Sequence, residues 1–525
     1  MSDADIAMLS SADARLCWYK TYVPQKPGDE PDTMQGLGVP FETTGIPPFG
    51  WHVNPYDPEY SMDQIGLSKL FADEHADRLR YCSTDKNWYV NDPKKGWVCD
   101  PDKHYVMEYV RQFKRRLAYA YRLIDGDEYK KEFMENRLKL LDTVNQVDSV
   151  LKAASREYPF NAAEMNNRVD TIAAINRIIL LRRDGSYTVQ GYTPDNMITN
   201  HLNTIYDPSA KCPLWDKTIN DIFGGDAETI NFFQIFCGQM LYGRNDQKTL
   251  AIWVGSKTNN GKTTLMTVLR DFFGDYGVAI NDKLLRKHRT MSVDDKSEMM
   301  SLKGKRIAVL AEPDRGFVLD GDMVKRITGG DTLKARHLYC EHVDFIAAAT
   351  IILGTNYLPN IKDPTLFDRG SIVLFHFDQS FTGSRADTQL SEKLKSEYPG
   401  ILNWLLEGWE KYCRMCPNGE RWVLPPKMQA EVDQYHADSD LTDQFLTDKF
   451  ELTGRRDDVV LRTKVYSIYR DWFAANGDGD LESPKVFHGA FAAYLAKMLG
   501  LPGHDLPVTK KADGNRYYYG ITCKH

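Results

Sequence analysis

The sequence predicts an α/β fold, and two observations carry this prediction. The apolar run Leu250–Val254 has the length of a buried strand, and the apolar-periodic stretch that opens at Lys262 is typical of a helix. Three more apolar runs of strand length follow, at Ile307–Ala311, Ala347–Leu353 and Ile372–Phe377. Apolar strands of this kind among helical stretches indicate an α/β core.

The turn between the first strand and its helix reads GSKTNNGKTT, which is typical of a P-loop, the phosphate cradle of ATPases. Loop amides and the helix N-terminus point donors at phosphate oxygens. Lys262 is placed to reach the β- and γ-phosphates of ATP, and the Thr263 hydroxyl is placed to hold Mg²⁺. A glycine-rich turn beside an unrelated lysine would leave GKTT at a helix start unexplained.

The loop departs from the usual pattern in its length. Five residues separate Gly255 from Gly261, where four are usual. Either Ser256 takes the position of the first glycine or the loop is one residue longer. The predicted nucleotide-binding residues are Gly255, Ser256, Asn260, Gly261, Lys262, Thr263 and Thr264.

Three later residues are candidates to complete a catalytic site. ATP hydrolysis needs a carboxylate for the metal or the attacking water, and Glu312 ends an apolar strand 50 positions after Lys262. Because Ala311 precedes it in place of a second acid, its role in holding metal, polarising water or both stays open. Asn356 ends the next strand and is predicted to orient water or contact the γ-phosphate, although asparagine is also common in turns. Arg369 is a surface charge or an arginine supplied to a neighbouring subunit, a contribution of roughly 10³–10⁵ in rate.

Length and composition predict a protein of about three domains with sizeable cores, because the chain has 525 residues, 42% of them hydrophobic. The stretch Met1–Leu16 has no long apolar core, so we expect no signal peptide. The longest apolar run, around Phe345–Leu353, is too short to span a bilayer. Nine scattered cysteines favour a reducing, intracellular compartment. The single CxxC, Cys413 and Cys416, indicates a helix surface rather than a zinc site.

Charge is unevenly distributed along the chain. The net charge is −7, which argues against a protein coated in nucleic-acid-binding surface. Between Gly255 and Cys340, however, 16 Lys and Arg stand against 11 Asp and Glu, a local charge of +5. This excess fits either solvated helix faces or a local electropositive channel.

The rest of the chain divides into regions by pattern. The predicted regions are an irregular lead-in at 1–60, a mostly helical α+β region at 61–200, the ATPase core at 201–415 and a small domain at 440–525. Helical stretches are predicted at 102–123, 127–156, 226–243, 388–414, 441–451, 463–476 and 484–499. Hairpins are predicted at 177–192, around Asp184-Gly185, and near the C-terminus, around Asp513-Gly514.

Together these motifs resemble a known family. The order GKTT, AEPDRG, KRITGGDTLKARHLY, LGTNYLPNI and FDRGSIVLFHF is similar to the superfamily 3 helicases, in particular to the helicase part of phage, plasmid and poxvirus-type primase-helicases. The flanking segments DPSAKCPLWDKTI, QIFCGQMLYGRNDQK and EYPGILNWLLEGWEKY extend the resemblance, and Gly66–Trp97 is similar to the start of the family's pre-helicase domain. The match covers roughly 60–525 and is most specific from 200 to 412. We recognise no primase catalytic domain before it.

The resemblance implies an AAA+-like ATPase that assembles as a ring, usually a hexamer, with single-stranded DNA in its pore. Lys262, Thr263, Glu312, Asn356 and Arg369 would form the ATP site, with Arg369 acting on the neighbouring subunit. The segment Lys325–Tyr339 matches the family's hairpin that projects into the pore. Its DNA-contact candidates are Lys325, Lys334, Arg336 and His337, which are otherwise a solvated hairpin edge. Travel in the 3′→5′ direction is implied by resemblance only.

The terminal domain, with three predicted helices and a hairpin, resembles a winged helix. Lys510, Lys511 and Arg516 flank the hairpin turn, and Tyr517–Tyr519 follow it. These tyrosines are expected either to stack on bases or to pack on their own domain.

The sequence thus favours an ATP-driven DNA helicase for replication of a virus, phage or mobile element. Its expected partners are single-stranded and forked DNA, further copies of itself, and a primase, polymerase or single-strand-binding protein. It is expected to be soluble, in the cytoplasm or a virus factory, without a membrane partner. The alternatives are a replication initiator that binds origin duplex through 440–525, and a P-loop motor for DNA packaging or remodelling.

Overall fold

The computed structural model describes residues 51–524, apart from 288–292, 314–316, 336–342, 362, 364, 369, 440, 477–480, 503–504 and 512–513. The predicted lead-in up to residue 50, Arg336, His337, Arg369 and Asp513 therefore lie outside the described residues. The described chain forms two compact units, one of residues 51–92 and 97–164, the other of residues 93–96 and 165–524. The predicted domain boundaries stay predictions.

The first unit is a small sheet with four helices. The strands are β1 Leu79–Cys82, β2 Trp88–Asp92, β3 Gly96–Asp100 and β4 Pro159–Phe160. They run in the order β3-β2-β1-β4, with β1 antiparallel to β2 and parallel to β4. The helices are α1 Gln64–Glu74, α2 His104–Arg122, α3 Glu128–Lys139 and α4 Val144–Ala154. Fully buried side chains of α1 and α2, such as Leu67 and Phe113, fill its core.

The prediction of one helix over 127–156 is wrong, because the chain breaks between α3 and α4. Thr143 adopts an extended backbone, and its hydroxyl accepts a hydrogen bond from the Gln146 amide while the Gln146 side chain accepts from the Thr143 amide. This reciprocal cap satisfies donors at a new helix start and therefore begins a second helix. The predicted helix over 388–414 is likewise two, and Pro399 lies in the first turn of the second.

The second unit is built on a five-stranded, wholly parallel sheet. Its strands are β8 Leu250–Val254, β9 Gly277–Ala279, β10 Ile307–Ala311, β14 Thr350–Thr355 and β16 Ile372–His376. Their order in the sheet is β16-β8-β14-β10-β9. The α/β fold predicted for this part of the chain is confirmed. The sequence could not give the strand order, because pairing depends on contacts far apart in the chain.

Both faces of this sheet are covered, as parallel sheets require. On β8, Ala251 and Trp253 face one hydrophobic cluster, whereas Leu250, Ile252 and Val254 face another. The first cluster contains helices α5 Pro213–Ile222, α6 Ala227–Gln239, α7 Lys262–Phe273, α11 Leu390–Lys395 and α12 Tyr398–Met415. The second contains α8 Val293–Met300, α9 Gly321–Thr328, α10 Thr365–Asp368 and α13 Pro426–Ser439.

Smaller sheets surround this core. The antiparallel strands β5 Thr171–Ala174, β6 Arg177–Leu181 and β7 Tyr187–Gln190 contain the predicted hairpin, which is confirmed, and one strand that the sequence did not predict. The remaining core strands are β11 Val318–Leu319, β12 Thr332–Ala335, β13 Val343–Ile346 and β15 Asn360–Ile361. Strands β11 and β15 pair in parallel, and β12 and β13 form an antiparallel hairpin.

The C-terminal residues form helices and short strands around their own apolar cluster. In chain order these are α14 Leu441–Lys449, β17 Phe450–Leu452, β18 Val459–Leu461, α15 Arg462–Asn476, α16 Pro484–Met498, β19 Val508–Lys510, β20 Arg516–Tyr519 and β21 Ile521–Cys523. Strands β18, β20 and β19 form one antiparallel sheet. The three predicted helices and the hairpin are confirmed, and Tyr518, fully buried, packs within the domain.

Candidate nucleotide-binding site

The parallel sheet brings three predicted site residues together at the carboxyl ends of its strands. We call this side of the sheet the sheet edge. Strands β8, β14 and β10 are neighbours in the sheet and run in the same direction. Their carboxyl ends lead into Gly255, Asn356 and Glu312, respectively. Ligands of open α/β sheets bind at this edge, beyond the carboxyl ends of the strands. The sheet therefore accounts for the convergence of residues that lie far apart in sequence.

Lys262 lies in the first turn of α7 and is only 4% exposed. Its ammonium donates hydrogen bonds to the carbonyl oxygen of Gly255 at 2.8 Å and to Oδ1 of Asn356 at 2.9 Å. Burial lowers the pKa of Lys262, and the negative charge of Glu312 opposes that shift. The ammonium therefore has neutral acceptors at hydrogen-bonding distance and stands to gain from a multiply charged anion.

Asn260 braces the long loop from inside. Its side chain is 5% exposed, and Nδ2 donates to the carbonyl oxygens of Lys257 at 2.8 Å and Gly255 at 3.3 Å. Its Oδ1 accepts from the amide of Lys262 at 3.3 Å. This side chain therefore ties together both ends of the loop, and its predicted contact with nucleotide stays a prediction.

Gly255 directly follows β8, and five residues separate it from Gly261. Asn259 and Gly261 both adopt a left-handed backbone conformation. Asn259 has φ +55° and Gly261 has φ +88°. A Cβ on Gly255 would lie 2.5 Å from the carbonyl oxygen of Phe377 and 2.6 Å from Nδ2 of Asn260. Both glycines are therefore required, the first for close approach and the second for its backbone conformation.

Glu312 follows β10 in a backbone conformation that is uncommon for a residue with a side chain. Its φ is +51°, and its amide donates to the carbonyl oxygen of Gly354 at 2.7 Å. Non-glycine residues in this region carry a cost of order 1–3 kcal/mol and concentrate at functional sites. The strain is consistent with a carboxylate that is aimed by its backbone.

The predicted magnesium ligands are Thr263 and Glu312, which are both exposed at this edge. No group of three or more His, Cys, Asp or Glu side chains suited to a metal occurs among the described residues. Mg²⁺ in nucleotide sites usually takes one or two protein ligands, with phosphates and waters as the others. A hydroxyl and a carboxylate fit that donor set. Ser256 and Thr264, also predicted, lie exposed and half-buried, respectively.

The DNA-contact candidates within the described residues lie away from the strand ends. Lys325, on α9, forms an ion pair with Asp363. Lys334 is exposed on β12, where its register partner on β13 is Asp344. The hairpin expected in this segment is thus present at its base, and each candidate lysine has an acidic neighbour.

A segment that the sequence did not single out lies against the phosphate loop. The amide of Phe377 donates to the carbonyl oxygen of Val254, and the amide of Phe381 donates to that of Asn259, both at 2.8 Å. On the loop side, Nζ of Lys257 donates to the carbonyl oxygen of Asp378 at 2.7 Å. The only sequence signal was position, since Phe377 ends the predicted strand Ile372–Phe377 and the other residues directly follow it.

The prediction that Cys413 and Cys416 mark a helix surface is wrong. Both lie in the hydrophobic core at the end of α12. Burial raises the pKa of Cys413 to about 12 and that of Cys416 to about 11, so neither is a ready thiolate.

None of the helices in the described part of the chain is both long and apolar enough to cross a membrane.

Comparison with known proteins relates the chain to one family model and to viral proteins. Residues 68–224 match the family described as "D5 N terminal like". Three viral proteins, each named "Putative helicase", are similar to the chain. They are 022R of Frog virus 3 (28% identity, 52% of this chain and 29% of the relative), L207/L206 of Acanthamoeba polyphaga mimivirus (27%, 47% and 27%) and 184R of Invertebrate iridescent virus 6 (23%, 59% and 35%). The chain thus spans about a third or less of these relatives.

A solved apo structure of the NrS-1 C-terminal region is also similar, with 12% identity and a TM-score of 0.46 over 87% of this chain and 99% of that one. The chain is therefore similar to viral proteins named "Putative helicase" and carries a D5 N terminal-like segment, which confirms the predicted resemblance to viral helicases of this kind.

Proposed function

We propose that the chain is an ATP-dependent DNA helicase that acts in viral replication. ATP with Mg²⁺ binds at the carboxyl edge of the parallel sheet, and hydrolysis drives movement along single-stranded DNA. The viral relatives and the D5 N terminal-like segment support a helicase over other P-loop enzymes.

One observation carries the proposal, namely the convergence of Lys262 and Asn356 beside a glycine loop. The ammonium bridges the loop carbonyl and the Asn356 side chain across two adjacent parallel strands. A triphosphate on the loop amides would meet Lys262 at its terminal phosphates and Asn356 next to the attacked phosphorus. Glu312, on the next strand, is positioned to hold Mg²⁺ or to orient water.

The oligomeric state, the role of Arg369, the DNA contacts and the direction of travel are proposed from the family resemblance. The protomers assemble as a ring, in the family usually a hexamer, and Arg369 completes the ATP site of the neighbouring protomer. Lys325, Lys334, Arg336 and His337 contact DNA in the pore, and travel is 3′→5′. Lys and Arg suit a pore because their grip on phosphate is electrostatic, non-specific and released by salt.

A strand-displacement assay on forked DNA tests the helicase activity. We expect unwinding that requires ATP and Mg²⁺, prefers a free 3′ arm, and is abolished in Lys262→Ala. The control is Lys257→Ala, a lysine in the same loop whose ammonium already bonds the Asp378 carbonyl. ATP hydrolysis without unwinding on either polarity would reject the helicase and leave a P-loop motor of another kind.

Complementation tests the shared site. Lys262→Ala and Arg369→Ala protomers are each expected to be inactive alone. In a mixed ring, some sites combine an intact Lys262 with a neighbour's intact Arg369, so hydrolysis is expected to return in part. Full activity of Arg369→Ala alone, or of strictly monomeric protein, would contradict action in trans.

A second candidate, an origin-binding initiator, is favoured by one feature of the C-terminal domain. Its order of helix, two short strands, two helices, hairpin and last strand, with β18 pairing with β20, resembles a winged helix. Lys510 and Arg516 sit opposite each other in that hairpin. Binding of a specific duplex that is lost on removal of 440–525, without unwinding, would favour this role.

A further inference from the structure

Two apolar side chains flank the last glycine of the phosphate loop. A Cβ placed on Gly261 would lie 3.1 Å from Cδ1 of Ile222 and 3.7 Å from Cε2 of Phe381. Gly261 directly precedes Lys262, so both side chains adjoin the residues that would hold phosphates. Ile222 is buried, whereas Phe381 is only partly buried and keeps exposed ring surface.

The backbone of Phe381 is fixed to the loop itself. Its amide donates to the carbonyl oxygen of Asn259 at 2.8 Å, and the Arg385 guanidinium lies 5.1 Å from its ring centroid. The ring is therefore held at the loop by a backbone hydrogen bond that does not depend on the side chain. Such a ring offers a flat apolar surface beside a phosphate site.

A carboxamide, that of Gln379, lies two residues before Phe381 in the chain, and a glycine turn lies against it. Gln379 is half-buried, and its amide has no hydrogen-bond partner among the described residues. Its Nε2 lies 3.0 Å from the position of a Cβ on Gly224, a left-handed residue with φ +62° that is followed by Gly225 with φ +79°. Any side chain at Gly224 would thus press on the Gln379 amide.

We propose that Phe381, Gln379 and the Gly224–Gly225 turn form the base-binding side of the nucleotide site and select purine nucleoside triphosphates. This inference rests on the proposed function, since it assumes that phosphates bind at Lys262. The purine ring lies against Phe381, and one donor and one acceptor on its edge pair with the Gln379 carboxamide.

The chemistry explains a preference for purines but not for adenine over guanine. A carboxamide offers one donor and one acceptor and can turn over to suit either purine. Discrimination against pyrimidines comes from the larger face that a purine stacks on Phe381, because stacking on an aromatic side chain scales with contact and is tolerant of base identity. Because Gly224 has no Cβ, the turn does not crowd the Gln379 amide.

Equilibrium binding of ATP, GTP, CTP and tripolyphosphate, each with Mg²⁺, to the full chain tests the proposal. The informative variant is Phe381→Leu, which keeps an apolar side chain against the core but removes the flat ring. Gln379→Ala removes the amide, and Tyr187→Leu, an exposed tyrosine on β7, is the control for loss of an aromatic side chain.

Wild-type protein is expected to bind ATP and GTP about tenfold more tightly than CTP. Phe381→Leu is expected to lower purine affinity to the CTP level and to leave tripolyphosphate binding unchanged, which also shows that the variant is folded. Gln379→Ala is expected to weaken all three nucleotides about threefold. Tyr187→Leu is expected to change none of them.

Two results would overturn the proposal in different ways. If Phe381→Leu leaves the ratio of ATP to CTP affinity unchanged and Gln379→Ala leaves the affinity for all three nucleotides unchanged, the base lies elsewhere while the proposed function stands. If wild-type protein binds neither the nucleotides nor tripolyphosphate, the phosphate site itself is absent and the proposed function fails together with this inference.

Discussion

Lys262 and Lys325 belong to the same unit but lie in opposite electrostatic surroundings. Lys262, at the sheet edge, is 4% exposed and bonds two neutral oxygens. Lys325, on α9, is 24% exposed and already forms an ion pair with Asp363. The first side chain carries a desolvated charge that hydrogen-bonds neutral oxygens and is favoured by the nearby charge of Glu312 alone, whereas the second has a carboxylate in direct contact.

This difference indicates which of the two lysines gains more when it binds an anion. A buried ammonium that hydrogen-bonds only neutral acceptors gains strongly when a phosphate binds, because the ammonium is already desolvated by the fold. A phosphate that approaches Lys325 must instead compete with Asp363. The sheet edge is therefore primed for a triphosphate, whereas the hairpin region is suited to weaker, exchangeable contacts such as a moving strand needs.

The largest expected effect concerns Glu312. Glu312→Gln removes the charge that would hold metal or polarise water but keeps the size of the side chain. We expect ATP hydrolysis to fall about 10²–10⁴-fold while ATP affinity changes less than about threefold. The control is Asp378→Asn, an exposed acid beside the phosphate loop. A variant that hydrolyses ATP at the wild-type rate would move the catalytic acid elsewhere.

The proposed DNA contacts of Lys325 and Lys334 are tested by the salt dependence of single-stranded DNA binding. Lys334→Ala should lower the slope of log affinity against log salt by about one, as expected for one lost phosphate contact. Lys325→Ala should change it less, because Asp363 already neutralises that lysine. Asp363→Asn should strengthen binding by freeing Lys325. An unchanged slope in both lysine variants would place the DNA contacts elsewhere.

The strained backbone at Glu312 predicts a difference between two substitutions that both remove the carboxylate. Glycine tolerates φ +51°, whereas alanine does not. Glu312→Gly is therefore expected to be more stable than Glu312→Ala by about 1 kcal/mol in free energy of unfolding, although glycine also makes the unfolded chain more flexible. Denaturant unfolding of the two variants measures this. Greater stability of the alanine variant would mean that the backbone there is unstrained.

The smallest expected effect is the pH dependence of the Lys325–Asp363 pair. Burial raises the pKa of Asp363, but hydrogen bonds from Lys325 and Thr365 outweigh it, so the net pKa is lowered. A lowered carboxyl pKa stabilises the fold above the unfolded value, about 4, and this contribution disappears as pH falls through the folded pKa. Because the pair is partly exposed, we expect less than about 1 kcal/mol.

Comparison of wild-type protein with Asp363→Asn measures this contribution. Wild type should be more stable at pH 7, and the two should converge as the pH falls below about 4. A difference that persists undiminished into acid would show that Asp363 acts through its hydrogen bonds to Thr365 rather than through its charge.

The sequence predicted the sheet edge well because its residues occupy fixed places. Lys262, Glu312 and Asn356 each stand at or just after a buried strand or at a helix start, so local pattern sets their position. Phe381 and Gln379 could not be found in this way, because an irregular segment places them against the loop through tertiary hydrogen bonds. The interior position of Cys413 and Cys416 was missed for a similar reason, since only packing of α12 reveals it.

The most direct test of the central claim is the equilibrium affinity for ATP with Mg²⁺ in Lys262→Ala and Lys257→Ala. Charge-assisted hydrogen bonds from a buried ammonium to phosphate contribute roughly 1.5–3 kcal/mol, which corresponds to a loss of about 10- to 100-fold in Lys262→Ala. Lys257→Ala, in the same loop but exposed, should stay within about threefold of wild type. Equal affinity of Lys262→Ala and wild-type protein for ATP would contradict the account.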